Sequence, residues 1–321
     1  LKVERQERVF PVTDRSHSVL DVLLKEIASR SIKFYLKERV SSIIVESGAV
    51  SGVRLSGGET IKAEAVVLAT GGASYAFSGS SGDGFRMAKE LGHHVGELSA
   101  GLVPLHTKGD TAHLLEGLTL KNIRLIFSAK RKEIVSEIGE MVFSAAGISG
   151  PLVFTLSGQI VDWLKKKCSV SVAIDLKPAL TEEQVDKRLL REFAAAPKKS
   201  VRNCLKELMP LRMVDVFLRE TKILPDKQVS QILQDERRRI VLLLKKFSLE
   251  VTGSGSLDDA MVTRGGVSLK EINPRTMESR LVRGLYFAGE VMDIDADTGG
   301  FNLQAAFSTG FLAGESAALS N

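Results

Sequence analysis

Cysteine is almost missing from this chain: Cys168 and Cys204 are the only two in 321 residues, and neither has a Cys or His close to it in sequence. That spacing argues against a disulfide framework or a zinc site and fits a reducing cytoplasm. Aromatics are few as well, with one tryptophan and three tyrosines, and Trp163 and the phenylalanines read most simply as core. No apolar run approaches the roughly 18 residues that a bilayer span requires. Catalytic signatures are lacking too. Gly147, Ser149 and Gly150 miss the G-x-S-x-G spacing of a nucleophile elbow, and no Ser-His-Asp arrangement can be read from the order of residues. Residues 79–84, GSSGDG, lack the Gly-Lys-Ser/Thr ending of a Walker phosphate loop. His93 and His94 follow Gly92, where His93 suits the negative pole of a helix end better than acid–base chemistry. The chain starts at Leu1 with no signal-like segment, which reads as a cut and not a natural start.

What is present is concentrated in residues 284–314, GLYFAGEVMDIDADTGGFNLQAAFSTGFLAG. A short apolar strand over 285–288 stops at Gly289. An acidic loop follows, with Glu290, Asp293, Asp295 and Asp297, and Gly299-Gly300 then opens a helix over 302–318. This order suits a nucleotide cofactor. Carboxylates accept hydrogen bonds from sugar hydroxyls, and unpaired N–H groups at a helix start attract phosphate or an electron-rich ring edge. Gly310 and Gly314 leave that helix a smooth face, expected to pack on a sheet.

The same α/β texture runs through the N-terminal third. Ser16 and Ser18 are expected to cap a helix through residue 29 with Val19, Val22, Leu23 and Ile27 on one face. Strands are expected over 32–36, 40–45 and 50–55, the last two turning at Ser47-Gly48, with a further strand over 61–63 after Gly57-Gly58. Residues 65–69 are continuously apolar, as a strand buried on both faces would be. A helix over 85–91 follows the glycine turns. After Pro104, strand-type runs over 122–128, 133–135, 141–143 and 169–176 predict a small β-rich unit. Helix-type periodicity then covers 182–193, 200–208, 213–219 and 234–246, broken near Pro197, Pro210 and Pro225. Strand texture returns from Ser248. The net charge of +5 is uneven: residues 177–246 hold 17 Lys and Arg against 10 Asp and Glu. Such an excess marks either a polyanion-facing surface or a solvated helical face.

Three stretches carry a family resemblance: LATGGASYAFSGSSGDGFRMAKELGH (68–93), MVFSAAGISGP (141–151) and residues 262–310, VTRGGVSLKEINPRTMESRLVRGLYFAGEVMDIDADTGGFNLQAAFSTG. They resemble the HI0933-like bacterial flavoproteins, NAD(P)/FAD-dependent oxidoreductases. The resemblance implies an α/β fold with a split FAD-binding Rossmann-like domain of the two-dinucleotide-binding type, over 1–103 and 262–321. It further implies a β-barrel over 104–178 and 247–261, and a helical insertion over 179–246. Carried over residue by residue, Val40 looks like the position whose backbone faces adenine. Ala69, Thr70 and Gly71 look like the turn beside adenosine and pyrophosphate. Gly289 and Glu290 would lie beneath the pyrophosphate, with Asp293 on the ribityl hydroxyls and Gly300, Phe301 and Asn302 beside the flavin's pyrimidine edge. The FAD would be non-covalent, the electron donor NAD(P)H, and no metal is expected. Hydride would pass through flavin N5 to reduce a carbon–carbon double bond of a small molecule. The alternatives are reduction of uridine to dihydrouridine in ribosomal RNA, gripped by the basic insertion, and a flavin-free binding remnant. Relatives begin with a strand, G-x-G-x-x-G and an acidic ribose-binding residue, none of which occurs here. Roughly the first quarter of a family member is then missing, and this chain alone is expected to hold FAD poorly.

Overall fold

The computed structural model describes residues 1–4 and 8–319; residues 320 and 321, with which the expected cofactor domain ends, lie outside the described residues. In chain order, strands β1 (Lys2–Val3) and β2 (Val9–Phe10) precede helix α1 (His17–Ser29) and the strands β3 (Val40–Glu46), β4 (Ala49–Leu55), β5 (Thr60–Lys62) and β6 (Val66–Leu68). Next come α2 (Asp83–Glu90), β7 (Ser99–Gly101), β8 (Leu105–Thr107), α3 (Thr111–Leu114), β9 (Thr119–Ala129), β10 (Lys132–Val135), β11 (Gly139–Ser144) and β12 (Gly147–Ser149). They are followed by α4 (Pro151–Lys165), β13 (Val170–Asp175), α5 (Glu182–Ala195), α6 (Val201–Leu205), α7 (Leu211–Thr221) and α8 (Gln234–Lys245). The chain ends with β14 (Phe247–Ser254), β15 (Val262–Arg264), β16 (Leu285–Phe287) and α9 (Gly299–Leu319). Two compact units divide it, Leu1–Leu98 with Arg264–Asn321, and Ser99–Thr263.

In the first unit β3, β4 and β5 form an antiparallel meander. Its β3–β4 hairpin turns at Ser47 and Gly48, both with positive φ (53° and 78°), the twist that a two-residue turn needs to match its strands. β6 and β16 pair in parallel, Val66 with Leu285 and Leu68 with Phe287. On the other edge of β16 residues 277–279 run antiparallel, Ser279 N–H to Leu285 O at 2.7 Å and Phe287 N–H to Met277 O at 3.0 Å. Leu285, Tyr286 and Phe287 are consequently fully buried.

Four sequence expectations change here. Residues 32–36 form no strand: Ile32, Phe34, Tyr35 and Leu36 are exposed, and strand propensity without a ladder partner makes none. β6 is not buried on both faces, because Val67 is 37% exposed between two inward neighbours. Gly310 and Gly314 do not mediate close packing, since a methyl group on either would meet nothing within 4 Å. Ser16 stands at the N-cap of α1 but makes no capping bond, and the Ser18 hydroxyl lies 2.6 Å from that of Thr13 instead.

The second unit is built on a closed antiparallel barrel. β9 pairs with β11 over its first half and with β10 over its second, on one edge, and with β13 on the other. The ladder continues from β11 through β12, β8 and β14 back to β13. Phe127, Phe143, Leu105, Leu125 and Ile148 fill its interior. α4 begins with Pro151, whose missing N–H costs nothing at a first turn, and buries Leu152, Val153, Leu156 and Ile160. A Cβ on Gly139 would lie 2.7 Å from Leu152, so that glycine lets the helix lie close on β11.

The helices α5–α8 bury Val185, Leu189, Val214, Phe217, Ile240 and Leu244 against the same core. α5 starts in a capping box: Thr181 Oγ1 accepts from Gln184 N–H at 3.2 Å, and Gln184 Oε1 accepts from Thr181 N–H at 2.9 Å. Thr181→Ala removes the bond to one helix-start donor and should lower unfolding free energy by about 1 kcal/mol. Chemical denaturation measures it; an unchanged midpoint would show that water serves that end equally well.

Several of the cations of 177–246 are tied within the fold. Arg202 pairs with Asp215 (2.8 Å), Arg219 with Asp110 (2.9 Å), Lys227 with Glu236 (2.7 Å), Arg237 with Asp186 (2.6 Å) and Lys245 with Asp175 (2.7 Å). Arg239 donates to Thr221 O at 3.1 Å. These cations hold helices to each other and to the barrel.

Candidate cofactor site

Because β6 and β16 are parallel, their C-terminal ends open on the same side, where open α/β sheets bind ligands. Residues 69–82 leave β6 there and residues 288–298 leave β16. Ala69 and Thr70 are exposed, and Gly71 turns the chain at φ 70°. A side chain on Gly84 would collide with that of Thr70, so α2 begins directly against this turn. Ser74 is buried, and its hydroxyl donates to Glu290 Oε1 at 3.4 Å, tying the two loops together. Beyond it Tyr75 and Phe77 stack edge to face at 5.4 Å, with Phe77 86% exposed.

Gly289 takes φ 71°, and a Cβ on it would lie 3.4 Å from that of Ala306. The bare glycine therefore brings the strand end close against α9. Its N–H donates to Thr309 Oγ1 at 3.0 Å, and that hydroxyl donates to Ala305 O. Asp293 is exposed, and its N–H donates to Val267 O at 2.9 Å. Its Oδ2 would lie only 3.7 Å from a Cβ on Gly96, so its carboxylate passes over bare backbone. Partial burial, with repulsion from Asp293 and Asp297, pushes the Asp295 carboxyl up; Arg264, 3.4 Å away, pulls the other way.

α9 begins at Gly299, with Gly299 and Gly300 exposed and no atom within 4 Å of a Cβ built on either. Phe301 is exposed beside them. Asn302 behaves differently from its neighbours. Its side-chain amide donates to Ala296 O (2.8 Å) and Thr298 O (2.9 Å) and accepts from Ala296 N–H (3.1 Å). That side chain staples the acidic loop to the helix start and leaves the Gly299–Phe301 backbone as the open donor edge. Val40 is half-buried at the start of β3. Next to it Arg39 donates to Asp83 Oδ2 at 2.7 Å and holds that carboxyl below the usual carboxylate range.

An FAD fits this donor set. Open N–H groups at a helix start suit the electron-rich edge of a flavin, and an exposed carboxylate suits ribityl hydroxyls. Asp293 and the Gly300, Phe301 and Asn302 backbone would hold the flavin half, Gly289 and Glu290 the pyrophosphate, and Ala69, Thr70 and Gly71 the nucleotide side. Among the described residues no group of three or more His, Cys, Asp or Glu is placed to hold a metal ion, and no helix is long and apolar enough to cross a membrane.

Residues 1–316 match the family of the HI0933-like protein Rossmann domain. The chain is 29% identical over 310 residues to the 3-dehydro-bile acid delta(4,6)-reductase of Clostridium scindens, covering 97% of this chain and 75% of that one. It is also 29% identical over 297 residues to the ribosomal RNA dihydrouridine synthase of Escherichia coli, covering 92% and 70%. The Haemophilus influenzae ribosomal RNA dihydrouridine synthase is 28% identical over 298 residues, covering 92% and 71%. Of solved structures, Aquifex aeolicus GidA aligns at 14% identity with a TM-score of 0.35, over 88% of this chain and 46% of that one.

Proposed function

Since this chain belongs to the HI0933-like family, we propose that it works as an FAD-dependent oxidoreductase that reduces a carbon–carbon double bond in a small apolar molecule, with NAD(P)H as the electron donor. One observation carries the reading: the carboxylate-bearing turn after β16 and the open glycine start of α9 lie on one continuous loop at the C-terminal end of a parallel strand pair. FAD supplies the two-electron chemistry when bound. The residues of this chain bind and orient it. Asp293 would accept from the ribityl chain, the Gly300 and Phe301 backbone would face the pyrimidine edge, and the Gly289–Glu290 turn would lie beneath the pyrophosphate. The exposed Tyr75–Phe77 pair offers an apolar surface on the loop from the same strand ends, in keeping with a flat hydrophobic substrate such as an unsaturated ring ketone.

The likeness to ribosomal RNA dihydrouridine synthases supports a second reading, in which the helical insertion grips RNA. The ion pairs that occupy Arg202, Arg219, Lys227, Arg237 and Lys245 weigh against it. Reversing Arg237 or Arg239 would disturb packing as well as charge, so exposed Lys198, Lys206 and Arg238 make the better test. The small-molecule reading expects weak RNA binding that these three changes to Glu leave unaltered. Tight binding that weakens steeply with salt and falls in the triple variant would replace it with the RNA reading. An absorption spectrum of the purified full-length protein with FAD tests the cofactor itself: no bound-flavin spectrum would sink both readings and leave a flavin-free binding role.

A further inference from the structure

His93 lies where three segments of the first unit meet, and every hydrogen-bonding position around it is used. The chain reaches it through a Schellman turn at the end of α2, with Gly92 at φ 89°, Gly92 N–H to Lys89 O and His93 N–H to Ala88 O, both at 3.0 Å. The residue is 3% exposed, and its ring packs edge-on against Phe287, the last residue of β16, at 4.9 Å. Nδ1 lies 3.2 Å from Glu271 Oε2, and Nε2 lies 3.0 Å from the Ser279 hydroxyl. The Ser279 oxygen in turn accepts from Leu281 N–H at 3.0 Å and Val282 N–H at 2.9 Å.

Counting protons fixes the direction of each bond. An ionised carboxylate only accepts, so Nδ1 carries the hydrogen and Nε2 is left as an acceptor. Ser279 must then donate to Nε2, which leaves both of its lone pairs for the two N–H groups. The order Ser–His–Glu is that of a nucleophilic triad, but a buried hydroxyl whose lone pairs are both taken cannot attack a substrate. Its consequence is mechanical. A second proton on the ring would turn Nε2 into a donor facing an oxygen with no free lone pair, and would leave the Ser279 proton without its acceptor.

We propose that His93 is a positioning residue for the Gly289–Glu290 turn, clamping β16 and the 277–282 segment only as the neutral Nδ1–H tautomer, so that protonation of the ring opens the clamp. The path to the turn is short: His93 supports Phe287 by ring contact and Ser279 by hydrogen bond, Ser279 N–H holds Leu285 O, and Gly289 lies two residues beyond Phe287. The charged groups on the elements that meet His93 are Asp83, Arg86, Lys89 and Glu90 on α2, Lys270 and Glu271 on residues 269–271, and Glu278 and Arg280 beside Ser279. Tyr286 on β16 and His94, whose N–H donates to the same Glu271 oxygen at 2.9 Å, are the remaining titratable neighbours. Glu90 pairs with Arg86, Glu278 accepts from Gly284 N–H, and Arg280 donates to Ile272 O. Glu271 is the charge that acts on the ring, and it favours the imidazolium; burial outweighs it and pushes the imidazole below its ordinary value of 6.5. A folded-state value below the unfolded one gives stability that is full above 6.5 and lost as pH falls through the folded value.

The clamp is independent of which substrate the enzyme takes, and its first readout needs no flavin. Nitrogen NMR of the His93 ring in the intact protein is expected to show Nδ1–H at pH 7.5 and protonation only below pH 6.5. An Nε2–H tautomer, or titration at or above that value, overturns the proposal. His93→Gln keeps a polar group and cannot titrate. Between pH 7.5 and 5.5 the wild type should lose at least about threefold more FAD affinity than this variant, with a steeper fall in Tm. Parallel FAD profiles would reduce His93 to a purely structural residue and overturn its positioning role. If the Gln variant does not fold, Ser279→Ala, which removes the saturated acceptor, replaces it in both measurements under the same criteria.

Discussion

Asp293→Ala is expected to weaken FAD binding by about 1.5–3 kcal/mol, roughly 10- to 150-fold, without unfolding the protein. The carboxylate is exposed, so its removal leaves no cavity, and the loop stays anchored by the backbone bond from Asp293 N–H to Val267 O. On the proposed reading, the change removes a charged acceptor for ribityl hydroxyls. Fluorescence titration of the apoprotein with FAD gives the affinity, and thermal unfolding of the same samples reports the fold. An affinity within threefold of wild type at unchanged Tm would remove Asp293 from the site. Asp293→Asn separates charge from shape, because it keeps one oxygen acceptor and should recover part of the loss.

A larger effect is expected from Gly266→Ala. Gly266 has φ 147°, and a Cβ there would lie 2.6 Å from the Met292 carbonyl carbon and 2.9 Å from Asp293 N. Both obstacles are backbone and cannot rotate away, so residues 291–293 must shift. Three bonds knit this crossing, Gly96 N–H to Gly266 O at 2.8 Å, and Val267 N–H to Val291 O and Asp293 N–H to Val267 O, both at 2.9 Å, and all are placed at risk. Strain of this kind costs about 1–3 kcal/mol in conformation alone, before the displaced bonds are counted. Gly266→Ala should therefore lower Tm and abolish measurable FAD binding together, whereas Asp293→Ala affects binding alone. Wild-type stability in Gly266→Ala would mean that the loop relaxes freely and that its placement of Asp293 is not fixed by this contact.

Sequence legibility tracked the distance over which each structural cause acts. The Ser47-Gly48 hairpin and the proline-punctuated helices are local, and each was readable from a few neighbouring residues. Residues 289–302 were readable for the same reason: strand end, acidic loop and helix start follow one another without interruption. α4 was missed because PLVFTLSGQIVDWLK mixes β-branched residues, Ser and Gly with apolar positions on several faces, so its period competes with that of a strand. The fate of residues 32–36, the exposure of Val67 and the open surface at Gly310 depend on which neighbour is present, and composition does not report neighbours. The same limit applies to the basic insertion, where the count of cations was correct but their acidic partners were invisible. Glu271 and Ser279 stand 178 and 186 residues from His93, and nothing local in the sequence links them.

The pairing of β7 with β15 bears on how the parallel pair β6–β16 can form at all. Those two strands sit where the chain passes into and out of Ser99–Thr263, so once that region has folded its ends emerge side by side. For β6 and β16 the intervening region then acts as a short tether and no longer as a long coil. Shortening a closing loop about fourfold lowers its entropic cost by roughly 1.2 kcal/mol. The barrel and its helices thus raise the effective concentration of two strands they do not contain, and the discontinuous first unit inherits part of its cooperativity from the continuity of the second.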